Sequence, residues 1–296
     1  MRILLTGCAG FLGSNIARAL LKSGNYVVGI DDMSFGFREN LPEGLFFMNI
    51  DFNDFDSRDE FDCLIHCATS NIIYGADHPV ETFKNNSEKT IDFFNRFKGK
   101  IIYLSSCSVY GQADVLCTGE EGNIKTNNSY SLSKYAAEQF LRCRGNYTTL
   151  RPSNVYGPWQ TPKNPYCGVV SRVIYNISKG LSVKIYGTGS DTRDYTFVDD
   201  VVNAVIRSLY LPVQNTEINI GTGIETSISD LIKTINDFFP EKSLIKEDIP
   251  ERKINGIKRR CLDCNKAKEL LNWTPKTDLK KGLQKTIDWM VNNNIC

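Results

Sequence analysis

Arg2-Ile-Leu-Leu-Thr6 runs straight into Gly7-Cys-Ala-Gly10-Phe-Leu-Gly13, and no other stretch restricts the possible folds as much. The apolar run reads as a strand buried on both faces. A helical pattern follows from about Ser14 to Lys22, with Gly24-Asn25 as its stop. Tyr26–Ile30 is a second strand and ends at Asp31-Asp32. Leu45–Ile50, Cys63–His66, Lys100–Leu104 and Thr148–Arg151 read as four more, with helical patterns near Val80–Phe97 and around Tyr130. Strands alternating with helices predict an α/β chain built on a doubly wound parallel sheet. Beyond Arg151 the pattern loosens: Pro152, Pro158, Pro162 and Pro165 break up the stretch to Tyr166. Short segments then alternate up to an amphipathic helix over Leu279–Val291, which predicts a smaller mixed α/β C-terminal lobe.

The 296 residues suffice for one large or two smaller domains. A net charge of +1 gives no general attraction to nucleic acid or an anionic membrane. No apolar run approaches the roughly 20 residues of a membrane helix, and no cationic-then-apolar leader precedes Arg2. The expectation is a cytoplasmic protein with neither nucleic acid nor membrane as partner. Ten cysteines invite a metal reading, but Cys261-x-x-Cys264 has no second pair at zinc spacing. Cys63 and Cys67 flank His66 in an apolar run, so buried thiols and no metal are expected.

Glycines at 7, 10 and 13, where the first strand turns into the first helix, let a diphosphate approach backbone amides at a helix N-terminus. The spacing is one residue longer than G-x-G-x-x-G. Asp31, at the end of the second strand, can accept from adenosine ribose hydroxyls and would repel a 2′-phosphate, so NAD is favoured over NADP. Asp31 and Asp32 also read as turn residues. Asp51 is either an acceptor for the adenine amine or a solvated loop acid.

Tyr130-Ser-Leu-Ser-Lys134 places a phenol and an ammonium on one helix face. A lysine there is expected to lower the tyrosine pKa from its usual value of about 10, making a base for an alcohol. Ser105-Ser106-Cys-Ser-Val-Tyr110-Gly111 precedes it. A serine hydroxyl both donates and accepts, which suits an oxygen alternating between alcohol and ketone.

Together with His66-Cys-Ala68, Asn86, Leu150-Arg-Pro-Ser-Asn154-Val-Tyr-Gly157, Arg193-Asp-Tyr195 and Asn272-Trp-x-Pro275, these segments fall in one order along the chain. In that order the chain resembles an extended short-chain dehydrogenase/reductase of the NAD-dependent nucleotide-sugar epimerase/dehydratase family. The resemblance implies a Rossmann-type sheet from residues 1–154 plus about 190–222. It implies a nucleotide-sugar-binding lobe from about 155–189 plus 223–296. Tyr130 is then the catalytic acid/base, with Ser106 on the reacting oxygen and Lys134 on the nicotinamide ribose. Phe11, Leu12, Asp32, Ser34, Gly36, Phe52, Cys67, Ala68 and Asn86 join Gly7, Gly10, Gly13, Asp31 and Asp51 around NAD.

Within that family, dehydratases place an acid pair after the serine, and decarboxylases a Ser-Glu pair. Here Cys107 and Ser108 stand there, which leaves a 4-epimerase, with Cys107 either a proton donor or a small packing residue. The alternatives are other nucleotide-sugar chemistry on the same scaffold, or a non-catalytic NAD-binding protein. For the nucleoside-diphosphate sugar, the resemblance implies Ser106, Cys107, Ser108, Asn154 and Arg193, helped by one of Lys258, Arg259 and Arg260. Arg260 falls where many UDP-hexose 4-epimerases carry a small or aromatic residue; a cation there suits a uronate carboxylate or a phosphate. The resemblance further implies a homodimer packed through the Val80–Phe97 and Tyr130 helices. Phe83, Phe93, Phe94 and Phe97 read either as its surface or as core.

Overall fold

The computed structural model describes residues 1–56, 61–250 and 256–296. The first half runs β1 (Arg2–Thr6), α1 (Phe11–Lys22), β2 (Tyr26–Ile30), β3 (Phe46–Met48), β4 (Cys63–His66), α2 (Ile72–Asp77), α3 (Pro79–Phe83), α4 (Thr90–Arg96), β5 (Lys100–Leu104), α5 (Ser129–Arg144) and β6 (Tyr147–Pro152). The second half runs β7 (Asn154–Tyr156), α6 (Val169–Ser178), β8 (Val183–Tyr186), β9 (Thr192–Arg193), β10 (Tyr195–Phe197), α7 (Val198–Tyr210), β11 (Thr216–Ile220), β12 (Thr226–Ser227), α8 (Ile228–Asn236), β13 (Lys246–Ile249), α9 (Asn265–Leu271) and α10 (Leu279–Asn292).

Seven parallel strands form the central sheet in the order β11-β6-β5-β4-β1-β2-β3. The chain builds outward from β1 to β3, then returns to β4 on the other side of β1. Between β1 and β4 the strand order reverses, and ligands of such sheets bind in the crevice at the strands' carboxyl ends there. Ile3 and Leu5 face the α1 and α7 side of the core, while Leu4 faces the α4 and α5 side. All three are fully buried, each stabilising the fold by about 1.5–3 kcal/mol. This two-sided burial is why the strand reads as an unbroken apolar run.

The expected doubly wound α/β sheet is present. Two segments differ in detail. The third strand is confined to Phe46–Met48. The single helix expected over Val80–Phe97 is α3, a π-helical segment Lys84–Lys89 and α4. Phe93, Phe94 and Phe97 are core; Phe83 alone of the four is exposed. Three two-stranded pairs lie outside the sheet, β7 with β10, β9 with β12 and β8 with β13. Asp200 anchors the closing stretch: its carboxylate accepts from the Lys276 and Thr277 amides, and its carbonyl from the buried Trp273 indole.

Candidate active site

The β1–α1 turn needs its glycines for room. Gly7 has φ +70°, and a Cβ on it would stand 2.6 Å from the Ala68 amide nitrogen. A Cβ on Gly13 would stand 2.0 Å from the Gly7 carbonyl oxygen. Gly10 caps α1 without a side-chain hydrogen bond, so the helix N-terminus stays open. In front of this cradle lies a cavity of about 620 Å³.

Gly7, Gly10, Phe11, Leu12, Gly13, Asp31, Asp32, Ser34, Gly36, Phe52, Cys67 and Ala68 all line it. Asp31 is held by the Ala9 and Met33 amides, both at 2.9 Å. Burial pushes its carboxyl up from the usual range, and those amides oppose the rise. Asp32 accepts from the amide and hydroxyl of Ser34. Asp51, Asn86, Tyr130 and Lys134 are not in the cavity wall. Asp51 accepts from the Asn53 amide and pairs at 2.5 Å with Lys89, which does line the cavity. Asn86 grips both the amide and the carbonyl of Ser70 at 2.8 Å.

Sequence reasoning missed the far wall. A strap over residues 158–168 lines the cavity through Trp159, Gln160, Thr161, Asn164 and Tyr166, with Trp159 at φ +73°. The Arg18 guanidinium lies 3.5 Å from the Trp159 ring centre, and Asn40 donates to the Trp159 carbonyl. Phe35, Tyr74 and Tyr166, from three separate segments, meet edge to face at 5.0–5.6 Å. The prolines alone signalled that this stretch is irregular, not what it covers.

Ser106 ends β5's extension and caps the short 3₁₀ turn Cys107–Tyr110 by accepting from the Ser108 amide. Its hydroxyl faces the Tyr130 phenol closely enough to pull that group's pKa down. Tyr130 sits in the first turn of α5, which Asn128 and Ser131 start with a capping box. Lys134, fully buried, donates to the Leu104 carbonyl at 2.8 Å. Its ammonium lies 4.9 Å from the Tyr103 ring centre and 5.9 Å from that of Tyr130. Burial lowers the lysine to about 7. The expected depression of Tyr130 is not found: burial pushes the phenol up to about 12, against smaller downward pulls from Ser106 and Arg260. Desolvation sets the direction because the phenol is buried, while the lysine is itself desolvated and held against a carbonyl.

Beside this trio, Asn154 and Tyr195 pair across β7 and β10, with Arg193 two residues upstream. Arg260 and Cys107 are close enough to Arg193 to act on its charge, and Arg260 acts on Tyr130. Of the basic run, Arg259 turns to Glu225 at 2.6 Å and Lys258 to Asp191 at 3.8 Å. Arg260 is the one that turns inward. Ser108 Oγ, Asn154 Oδ1, Tyr195 OH and Arg260 Nε are buried polar atoms without a partner among the described residues. Such groups are costly unless a ligand meets them. No group of three or more metal-ligating side chains gathers among the described residues. His66 is bonded by Thr6 and Thr90 at its two ring nitrogens, and Cys264 Sγ accepts from the Gly221 amide.

The sequence model of the NAD dependent epimerase/dehydratase family matches residues 3–221. The chain belongs to this family. Its relatives in the family include a putative UDP-glucose 4-epimerase of Methanocaldococcus jannaschii, 34% identical over 99% of both chains. The UDP-glucose 4-epimerase of Mycolicibacterium smegmatis is also 34% identical, over 99% of this chain and all of the relative. The structure of the Thermotoga maritima UDP-glucose 4-epimerase with UDP-glucose superposes with a TM-score of 0.92 at 31% identity, covering 99% of this chain and all of that one. The glycine cradle, the buried acid and the cavity fit the family's NAD.

Proposed function

We propose that the chain is a nucleotide-sugar 4-epimerase that acts on a UDP-sugar and keeps its NAD bound through turnover. The observation that carries this is Ser106 beside the Tyr130 phenol, with Lys134 behind it and no carboxylate at 107 or 108. Eliminating water across a sugar needs an acid and a base there; moving a proton on and off one hydroxyl needs only Tyr130. The relatives' names support the same reading.

Gly7, Gly10, Gly13 and Asp31 would hold the dinucleotide. NAD supplies the hydride acceptor and then the hydride donor, so no net oxidation occurs. Tyr130 takes the 4-hydroxyl proton and later returns it. Ser106 keeps the same oxygen in place as alcohol and as ketone. Arg193 and Arg260 draw in the diphosphate, helped by Asn154. A substrate anchored at its charged end can turn its sugar over and present either face of C4.

The exposed Val80, Phe83 and Leu132 on α3 and α5 form an apolar face suited to a homodimer, which light scattering would detect. The same reading places the enzyme in the cytoplasm, which fractionation checks. Incubation with UDP-glucose, UDP-N-acetylglucosamine and UDP-glucuronate, without added NAD, tests the chemistry. A C4 epimer at unchanged mass is expected by NMR and mass spectrometry. Loss of water or carbon dioxide, or turnover only with NAD supplied, would overturn it.

A further inference from the structure

Helix α5 presents Tyr130, Lys134 and Glu138 at intervals of four, on one face. Lys134 holds the Leu104 carbonyl. Glu138, fully buried, accepts from the Ser105 hydroxyl at 2.5 Å. It also takes both arms of the buried Arg151 fork, at 3.0 and 2.6 Å. Arg151 spends a further donor on the Tyr110 hydroxyl at 2.8 Å, and Tyr110 donates to Asn219. The network therefore grips Leu104 and Ser105 on one side of Ser106 and Tyr110 on the other.

We propose that Glu138 and Arg151 are positioning residues for the reaction: their ion pair holds residues 105–110 against α5 and so sets Ser106 opposite Tyr130. The inference rests on the roles proposed above for those two hydroxyls. Stability alone does not account for the pair. Two desolvated charges are often no more stabilising than apolar side chains of like volume. What an apolar pair cannot do is take the Ser105 and Tyr110 hydroxyls in fixed directions. Arg151 is also specific as a fork, since a lysine offers a point charge and cannot bind Glu138 and Tyr110 in one plane.

The test is steady-state kinetics with bound-NAD content and melting temperature, on UDP-sugar epimerisation. Glu138→Leu combined with Arg151→Met removes the network without leaving a lone buried charge. A kcat about 100-fold lower is expected, with KM within about threefold and NAD retained, because small misplacements of reacting groups carry penalties of that order. Should that variant not fold, Ser105→Ala cuts one link and leaves the ion pair intact. It is expected to lower kcat about tenfold at unchanged KM and melting temperature. Arg151→Lys should recover part of the double variant's loss. A folded double variant, or Ser105→Ala, with wild-type kcat would overturn the proposal. Ser106→Ala and Tyr130→Phe run alongside separate the two readings: if these keep full activity, the proposed chemistry fails before the positioning does.

Discussion

The two halves of the site differ in how their polar groups are satisfied. On the dinucleotide side Asp31, Asp32 and Asp51 already accept from backbone amides, Ser34 or Lys89. On the proposed sugar side Ser108 Oγ, Asn154 Oδ1, Tyr195 OH and Arg260 Nε are buried and unpaired among the described residues. The first half holds its shape without a ligand. The second carries a desolvation cost that a bound polar molecule would relieve. The contrast matches a cofactor that stays through the cycle and a substrate that leaves each time.

The sharpest way to separate the halves is Tyr130→Phe. The ring stays, and the hydroxyl proposed to move the proton goes. A kcat loss of about a thousandfold is expected with NAD content unchanged. Activity within tenfold of wild type would remove Tyr130 from the reaction. Gly13→Ala strikes the other half. Its Cβ would meet the Gly7 carbonyl oxygen at 2.0 Å, and both partners are backbone, so the cradle has to shift. The cost to the fold is about 1–3 kcal/mol. NAD released on denaturation is expected to fall well below one per chain, and a full complement would show that the cradle does not hold the dinucleotide.

Arg260→Met gives a smaller effect confined to the sugar side. The methionine covers the arginine's apolar stem and removes the charge-assisted donor, worth about 1.5–3 kcal/mol. KM should rise at least about tenfold while bound NAD stays constant. Comparing UDP-glucose with UDP-glucuronate then shows which end of the substrate Arg260 meets. A uronate-selective loss places it on the sugar carboxylate, and an equal loss on both places it on the diphosphate.

The pattern of legibility follows the same division. β1, β2, β4 and β5 were readable because two-sided burial writes itself as an apolar run, and the Tyr130–Lys134 pair because four residues is about one helical turn; Ser106 came only with the family resemblance. The strap over residues 158–168 was not, since Phe35, Tyr74 and Tyr166 come together from segments far apart in the chain. Phe93, Phe94 and Phe97 could be assigned to the core only once the fold showed which side of α4 meets the sheet. The direction of the Tyr130 shift was misread for a related reason. The lysine neighbour is visible in the sequence, but the depth of burial that raises the phenol is a property of the assembled molecule.

The strap offers the smallest and most discriminating change. Trp159 is held from three sides: Arg18 of α1 over its ring, Asn40 at its carbonyl and Trp289 of α10 at 5.5 Å. Its φ of +73° is strained for any residue with a Cβ, so Trp159→Gly would mix lost contacts with relieved strain. Trp159→Leu keeps the strain and removes the aromatic face. The Arg18 contact is worth about 1 kcal/mol, so NAD should dissociate about fivefold faster, with kcat unchanged at saturating NAD. An unchanged dissociation rate would mean that the strap only borders the cavity. A fall in kcat instead would mean that the strap reaches across to the sugar side, and that the two halves are less independent than their hydrogen bonding suggests.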